Sequence, residues 1–329
     1  MATPHFERIL CPTDFSPFSA LALRHALALT RQFGSRLKIV YVIPDPYAGA
    51  ETGNVGPPWL QTQEVHGWVE AQMRLFLEPA REARIDHQIE VRSGEPWREI
   101  VAVAEVMRAD LVVLGTHGRS GLQHLFLGSV TERLIRRLPC PVLTVAREEG
   151  RTWAAPGLIS RILCATDFSD TSNEAVNLAF AIAGKGGAEV LLLHVVENLE
   201  EVREAASRVL IDVEALRADV ERRSRARLLE VIDGAGEPGV PAEPRAVLGC
   251  AYKETLRLAA TERIDLIVIG AQGHGLFEHL FSGSNAQHVI RAATCPVLTV
   301  RPLRLKGPPG EVQSTGLTLV QEHPVGSSR

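Results

Sequence analysis

Short apolar runs alternate along this chain with longer stretches in which apolar and polar positions follow a helical period. The runs "RILCPT" (8–13), "LKIVYVI" (37–43), "HQIEVRS" (87–93), "DLVVLG" (110–115) and "PVLTVA" (141–146) are short and rich in Val, Ile and Leu. That is the pattern of strands buried on both faces. Between the first two lies "SPFSALALRHALALTRQFG" (16–34), where Phe18, Leu21, Ala22, Ala26, Leu29 and Phe33 share one helical face. Ser16 is placed as its N-cap, Pro17 at its first position and Gly34 just past its end. Strand and helix in alternation predict right-handed crossovers and a parallel sheet covered on both faces, with ligands at the carboxyl ends of the strands.

The pattern then repeats. "RILCPTDFS" (Arg8 to Ser16) returns 153 positions later as "RILCATDFS" (Arg161 to Ser169), with only Pro12 changed to Ala165. Asp110 to Val145 realigns on Asp265 to Val300 at an offset of 155, and half of those 36 positions are identical. The copies therefore differ by two residues net between the matched blocks, as one duplicated fold would. In the second copy "SDTSNEAVNLAFAIAGKGG" repeats the first helix, with Ser169 or Asp170 as cap and Gly184 as its expected end. The fold class expected is α/β: two tandem doubly wound domains, each with a five-stranded parallel sheet. Domain 1 is placed at residues 1–147 and domain 2 at 158–302. Between them, 148–157 reads as a linker, and 303–329, rich in Gly, Pro and Ser, reads as a C-terminal tail.

Composition narrows the function classes. Apolar residues make up 45% and charged residues 22% of the 329, ordinary values for a globular protein. A net charge of -4 gives no electrostatic reason to expect nucleic acid or an anionic membrane as partner. Apolar runs fall short of the ~18 residues of a membrane span, and "MATPHFERIL" lacks the apolar centre of a signal peptide. A cytoplasmic location is the expectation. The five cysteines show no metal-like spacing and fit a reducing compartment. Cys11, Cys140, Cys164 and Cys295, beside strand-like residues, read as small buried hydrophobes, with redox chemistry as the alternative.

Candidate chemistry gathers where strands one and four end. Asp14 and Asp167 follow the first strand of each copy, at the switch point of the sheet, where a carboxylate reaches a ligand or serves the helix that follows. After the fourth strand, Gly115 and Gly118 are followed by nine residues and then Gly128 and Ser129. Gly270, Gly273, Gly283 and Ser284 repeat that spacing. Glycines after a buried strand let backbone approach a phosphate, and the Gly-Ser pair opens a helix whose free N–H groups favour an anion. Their other reading is tight turns and close packing.

At these residues the chain resembles the universal stress protein family in its tandem form, over roughly residues 5–147 and 158–302. The resemblance implies an adenine nucleotide alpha hydrolase-like fold and ATP binding in both halves, with Mg2+ as a possible companion. By position it assigns Asp14 and Val42 to the ribose and adenine end of the first site, with Pro12 and Thr13 among its nucleotide-binding residues. Gly115, His117, Gly118, Arg119, Gly128, Ser129 and Val130 would line the phosphates. In the second copy the matching residues are Ala165, Thr166, Asp167, Val195, Gly270, Gln272, Gly273, His274, Gly283, Ser284 and Asn285. Gln272, His274 and Asn285 depart from the first copy. The charge of Arg119 against the mostly neutral His274 makes the first site the tighter one expected. The resemblance also implies that the two halves pair through their last strands as an intramolecular pseudo-dimer, with a further homodimer open.

Other phosphate chemistries lack their parts. The chain has no G-x4-G-K-[S/T] and no G-x-G-x-x-G after the first strand. Neither copy presents an obvious second carboxylate for Mg2+ or an attacking water. The expectation is an ATP-binding, nucleotide-responsive stress regulator or protective protein with no dedicated catalytic residues. A slow ATPase or phosphoryl- or nucleotidyl-transferring enzyme, and a scaffold with a stabilising ligand, are the alternatives. His124 and His279 read as packing or helix-end residues, and His194 as a satisfied core histidine.

Overall fold

The computed structural model describes residues 6–44, 63–116, 127–146, 159–197, 213–235, 239–271 and 284–301. They fall into two compact units, one within His5–Arg147 and one within Leu158–Pro302.

In the first unit β1 (Arg8–Thr13), α1 (Pro17–Phe33), β2 (Arg36–Pro44), α2 (Gln63–Phe76), α3 (Glu78–Glu82), β3 (His87–Gly94), α4 (Pro96–Val106), β4 (Leu111–Gly115), α5 (Ser129–Arg137) and β5 (Val142–Val145) follow in order. Its strands pair in the order β3-β2-β1-β4-β5, all parallel. The second unit runs β6 (Arg161–Ala165), α6 (Asp170–Gly186), β7 (Glu189–Val196), α7 (Val213–Ala235), β8 (Ala242–Leu248), α8 (Ala251–Thr261), β9 (Leu266–Gly270), α9 (Ser284–Ala292) and β10 (Val297–Val300). Its order, β8-β7-β6-β9-β10, is again all parallel. Each unit is thus a doubly wound five-stranded α/β fold. In each, the first strand is central, and the chain departs to one side of it and later crosses to the other.

The cores are the strand runs themselves: Ile9, Leu10, Cys11, Val112 and Val113, and in the second unit Ile162, Leu163, Cys164, Ile267 and Val268, are wholly inaccessible. The open ends of the central strands are tied by one device used twice. Asp110 Oδ2 accepts from the backbone N–H groups of Glu7 and Arg8 at 3.2 and 3.0 Å. Asp265 Oδ2 accepts from those of Ser160 and Arg161 at 2.9 and 3.0 Å.

Helix α1 starts as its sequence dictates, with Ser16 accepting from the Ser19 N–H and Pro17 at the first position. It ends at Gly34 with φ 68°, a left-handed conformation that costs glycine nothing. The expected end of α6 at Gly184 is corrected. The helix continues to Gly186, and Gly187, at φ 69°, is the left-handed cap. Gly187 lies 153 residues after Gly34, so the duplication selects among neighbouring glycines that local sequence cannot separate. Among the described residues no helix is long and apolar enough to cross a membrane.

Candidate functional site

Three residues separate β1 from α1, and side chains hold the backbone N–H groups of Phe15 and Ser16. Thr13 Oγ1 accepts from the Phe15 N–H at 3.0 Å, and Asp14 Oδ1 accepts from the Ser16 N–H at 3.0 Å. Together they drive Phe15 to φ 62°. The second copy repeats the turn. Thr166 Oγ1 accepts from Phe168 N–H at 3.0 Å, Asp167 Oδ1 from Ser169 N–H at 3.0 Å, and Phe168 sits at φ 64°. A bulky residue in this region costs about 1–2 kcal/mol and persists only where its surroundings over-determine it. The serines are the caps, so each aspartate braces the turn and stays half-buried at the strand end.

Leu10 lies opposite Val112 in the β1–β4 ladder, so Asp14 and Thr116, four residues on, leave the sheet at one level. Thr13 lies opposite Tyr41, which brings Val42, buried in β2, to the same end. The chain returns to this end from the glycine segment. The Gly128 N–H donates to the Thr116 carbonyl at 2.9 Å, and Thr131 Oγ1 donates to the Gly115 carbonyl at 2.9 Å. Helix α5 therefore opens beside the ends of β1 and β4. Gly128 supplies its cap position without a side chain, Ser129 is exposed and Val130 half-buried. An N-terminus without a side-chain cap leaves backbone donors and a positive dipole end for an anion.

Gly115 has a structural task of its own. A Cβ there would stand 2.8 Å from Phe18 Cβ and 2.9 Å from its carbonyl carbon, so glycine is what lets α1 close on β4. At Gly270 the nearest atoms, on Thr171 and Ser172, would be 3.2 to 3.4 Å away. In the second unit Thr166 is buried, while Ala165, Asp167 and Val195 are half-buried at the ends of β6 and β7. Ser284 opens α9 with Asn285 in its first turn. His117, Gly118, Arg119, Gln272, Gly273, His274 and Gly283, together with His124 and His279, lie outside the described residues.

Sequence reasoning missed the aromatic neighbours of the turn. The Phe15 ring lies 4.5 Å from Tyr41, 5.9 Å from Trp68 and 5.8 Å from Phe76, centre to centre. In the second unit His194 takes the place of Tyr41, 4.4 Å from Phe168, and the Arg227 guanidinium lies 4.1 Å over the Phe168 ring. His194 is satisfied as expected, its Nδ1–H donating to the Thr166 carbonyl at 2.8 Å. It is half-buried beside the candidate site, however, not enclosed in the core. Burial lowers its pKa; the Thr166 carbonyl and Asp167 oppose that shift and Arg227 adds to it. The repeated phenylalanine after each aspartate was the available signal.

Burial pushes the Cys11 and Cys140 thiols up to about 12 and the Cys164 thiol higher still, which makes them inert apolar fillers. Among the described residues no cluster of three or more His, Cys, Asp or Glu is arranged to hold a metal ion.

Fold and strand-end geometry together define a tandem α/β protein of the adenine nucleotide alpha hydrolase-like class. The sequence model of the universal stress protein family matches residues 5–146 and again 159–301, and the chain belongs to that family. It is similar to a universal stress protein of Methanocaldococcus jannaschii, 32% identical over 143 residues, which are 43% of this chain and 83% of that one. One from Mycolicibacterium smegmatis is 25% identical over 297 residues, 89% of this chain and 97% of its own. The crystal structure of a universal stress protein from Archaeoglobus fulgidus covers 90% of this chain and 97% of its own with a TM-score of 0.65, and at 22% identity it shows the shared fold.

Proposed function

We propose that each half binds an adenine nucleotide, ATP being the species that likeness to the universal stress protein family implies, and that the protein works as a nucleotide-responsive stress regulator or protective protein in the cytoplasm. The observation carrying this reading is the opening of α5, without a side-chain cap, hydrogen-bonded back to Thr116 at the strand end where Asp14 emerges. Asp14 and Val42, with Asp167 and Val195, take the ribose and adenine end. The phosphates lie at the helix N-termini behind Gly118, Gly128, Gly273 and Gly283, with Arg119 strengthening the first site roughly tenfold or more over the second. Mg2+ accompanies the phosphates as a solvated counter-ion. The domains are those read from the sequence, 1–147 and 158–302, joined by 148–157 and followed by the tail 303–329.

Acid release of bound nucleotide from the purified protein, followed by its identification, tests the reading. ATP at a hundredfold excess over Kd is expected to stabilise the fold by ~2.7 kcal/mol. Joint replacement of Gly118 and Gly128 by valine removes the first site's share. An unchanged ATP-induced shift in that folded variant, with the second site also disabled, rejects the assignment. Turnover near ~1 per second reassigns the protein as an enzyme, and absence of any nucleotide affinity leaves a scaffold.

A further inference from the structure

Away from the strand ends, the first unit has a groove of about 280 Å³ lined by Glu95, Trp97, Arg98, Arg133 and Arg137. We propose that this groove docks an acidic segment of a partner protein, its carboxylates held by the three arginines and an adjoining apolar residue laid on the indole. The proposal does not depend on nucleotide binding.

Its construction starts in the sequence. "EPWRE" opens α4 with proline at the first position, which places Trp97 and Arg98 on the first turn. Arg133 and Arg137 are four residues apart and so share one face of α5. Packing α4 against α5 brings the guanidinium carbons of Arg98, Arg133 and Arg137 to 5.3, 5.9 and 5.3 Å from the Trp97 ring centre. The indole face favours each cation, but the three repel one another. One carboxylate answers them. Glu95 meets Arg98 Nε at 2.9 Å and Arg133 Nη1 at 2.7 Å, and it also accepts from the Trp97 indole N–H. It occupies the N-cap position of α4, yet its side chain makes no capping bond.

The groove therefore already shows the group it recognises. A carboxylate lies among the guanidiniums, and positive charge remains in excess. Among the described residues Arg137 has no carboxylate partner, while the side chains of Arg98 and Arg133 are 59% and 57% exposed. Planar guanidiniums offer paired donors suited to carboxylates, and an aromatic floor adds apolar area. A long polyanion is disfavoured, because the basic cluster is small and the chain as a whole carries a net charge of -4.

The second unit supplies an internal contrast. At the corresponding positions it has Cys250, Tyr252, Lys253, His288 and Ala292. His288 stacks on Tyr252 with centres 4.5 Å apart, and Lys253 lies 5.9 Å from that ring. The aromatic platform remains, but the buttressing carboxylate and all three guanidiniums do not, Lys253 being the one cation kept in their place, so docking belongs to the first unit alone.

Fluorescence anisotropy of the full chain tests this with three labelled probes: a short peptide of aspartates and glutamates flanking one leucine, its asparagine and glutamine counterpart, and single-stranded DNA of matching charge. The acidic peptide is expected to bind saturably, weaken with added salt, and bind at least about tenfold better than the neutral peptide. Arg137→Glu and Trp97→Ala are each expected to weaken it about tenfold or more, while Lys253→Glu leaves it unchanged. Arg137 is exposed and Trp97 half-buried, and circular dichroism checks that both variants fold. Equal binding of the neutral peptide, indifference to Arg137→Glu, loss with Lys253→Glu, or tighter binding of the DNA overturns the proposal.

Discussion

The two halves of this chain have nearly the same strands and different surroundings for them. Cys11 and Cys164, Leu10 and Leu163, and the two Asp-Phe-Ser turns superimpose in role and in hydrogen bonding. Divergence gathers one shell out, where Tyr41 becomes His194, buried His25 becomes buried Leu178, and buried Glu90 becomes Arg245. A strand enclosed on both faces tolerates little change in volume, whereas residues flanking it can exchange charge for apolar area if their partners change too. The halves are thus one backbone solution supported by two electrostatic ones.

The largest expected effect follows acid. Burial lowers the His25 pKa to about 4. Below its ordinary value near ~6.5 the unfolded chain binds a proton that the folded one refuses, so stability falls by ~1.4 kcal/mol per pH unit down to about 4. His25→Leu, which copies Leu178, is expected to flatten unfolding free energy against pH over that window. An unchanged slope assigns the acid sensitivity elsewhere.

Next is Gly115→Ala, whose methyl group meets the backbone of Phe18 and is expected to cost ~1–3 kcal/mol in urea unfolding. Gly270→Ala, with looser neighbours, should cost less than ~1 kcal/mol. Equal losses would erase the distinction drawn between the two helix–strand contacts.

Glu90 sharpens the contrast further. Its burial opposes ionisation, but Lys38 Nζ at 2.9 Å and Arg92 Nε at 2.7 Å outweigh that and hold its pKa below the usual value. The stability this pairing contributes is present above the ordinary carboxylate range and is lost as pH falls through the lowered value, an acid window below that of His25. Glu90→Gln is expected to cost ~1–2 kcal/mol at neutral pH, while Arg245→Gln, on a surface pair with Glu243, stays within ~0.5 kcal/mol.

The smallest effect is at the second turn. Arg227→Ala should cost ~0.5–1 kcal/mol and raise the His194 pKa, because Arg227 helps to lower it. Titration of the histidine ring protons by NMR reads the shift, and a pKa that falls or stays would place Arg227 away from His194 in solution.

The sequence shows the sheet plainly because two-face burial leaves continuous apolar runs, and a duplicated nine-residue stretch of strand and turn cannot be mistaken for chance. It locates the strand-end aspartates and the glycine before α5 for the same reason. It does not show Phe15 at positive φ, since phenylalanine carries no preference for that conformation and hydrogen bonds from Thr13 and Asp14 impose it. Nor does it show the Trp97 groove, whose tryptophan and two of its arginines lie on separate helices with no shared period. Gly184 reads as a helix end because three of the four residues 184–187 are glycine, and only tertiary register selects Gly187.

The clamp that Asp110 places on Glu7 and Arg8 also orders events during synthesis. β1 leaves the ribosome first, but the strand and carboxylate that close its second edge lie 102 residues downstream of Arg8. At ~5–20 residues per second that edge waits on the order of ten seconds, exposing an apolar strand with unpaired N–H and C=O groups. Nascent chains stalled before Asp110 should therefore be held by chaperones or aggregate, while those released beyond Val145 contain every strand of the first sheet and resist protease.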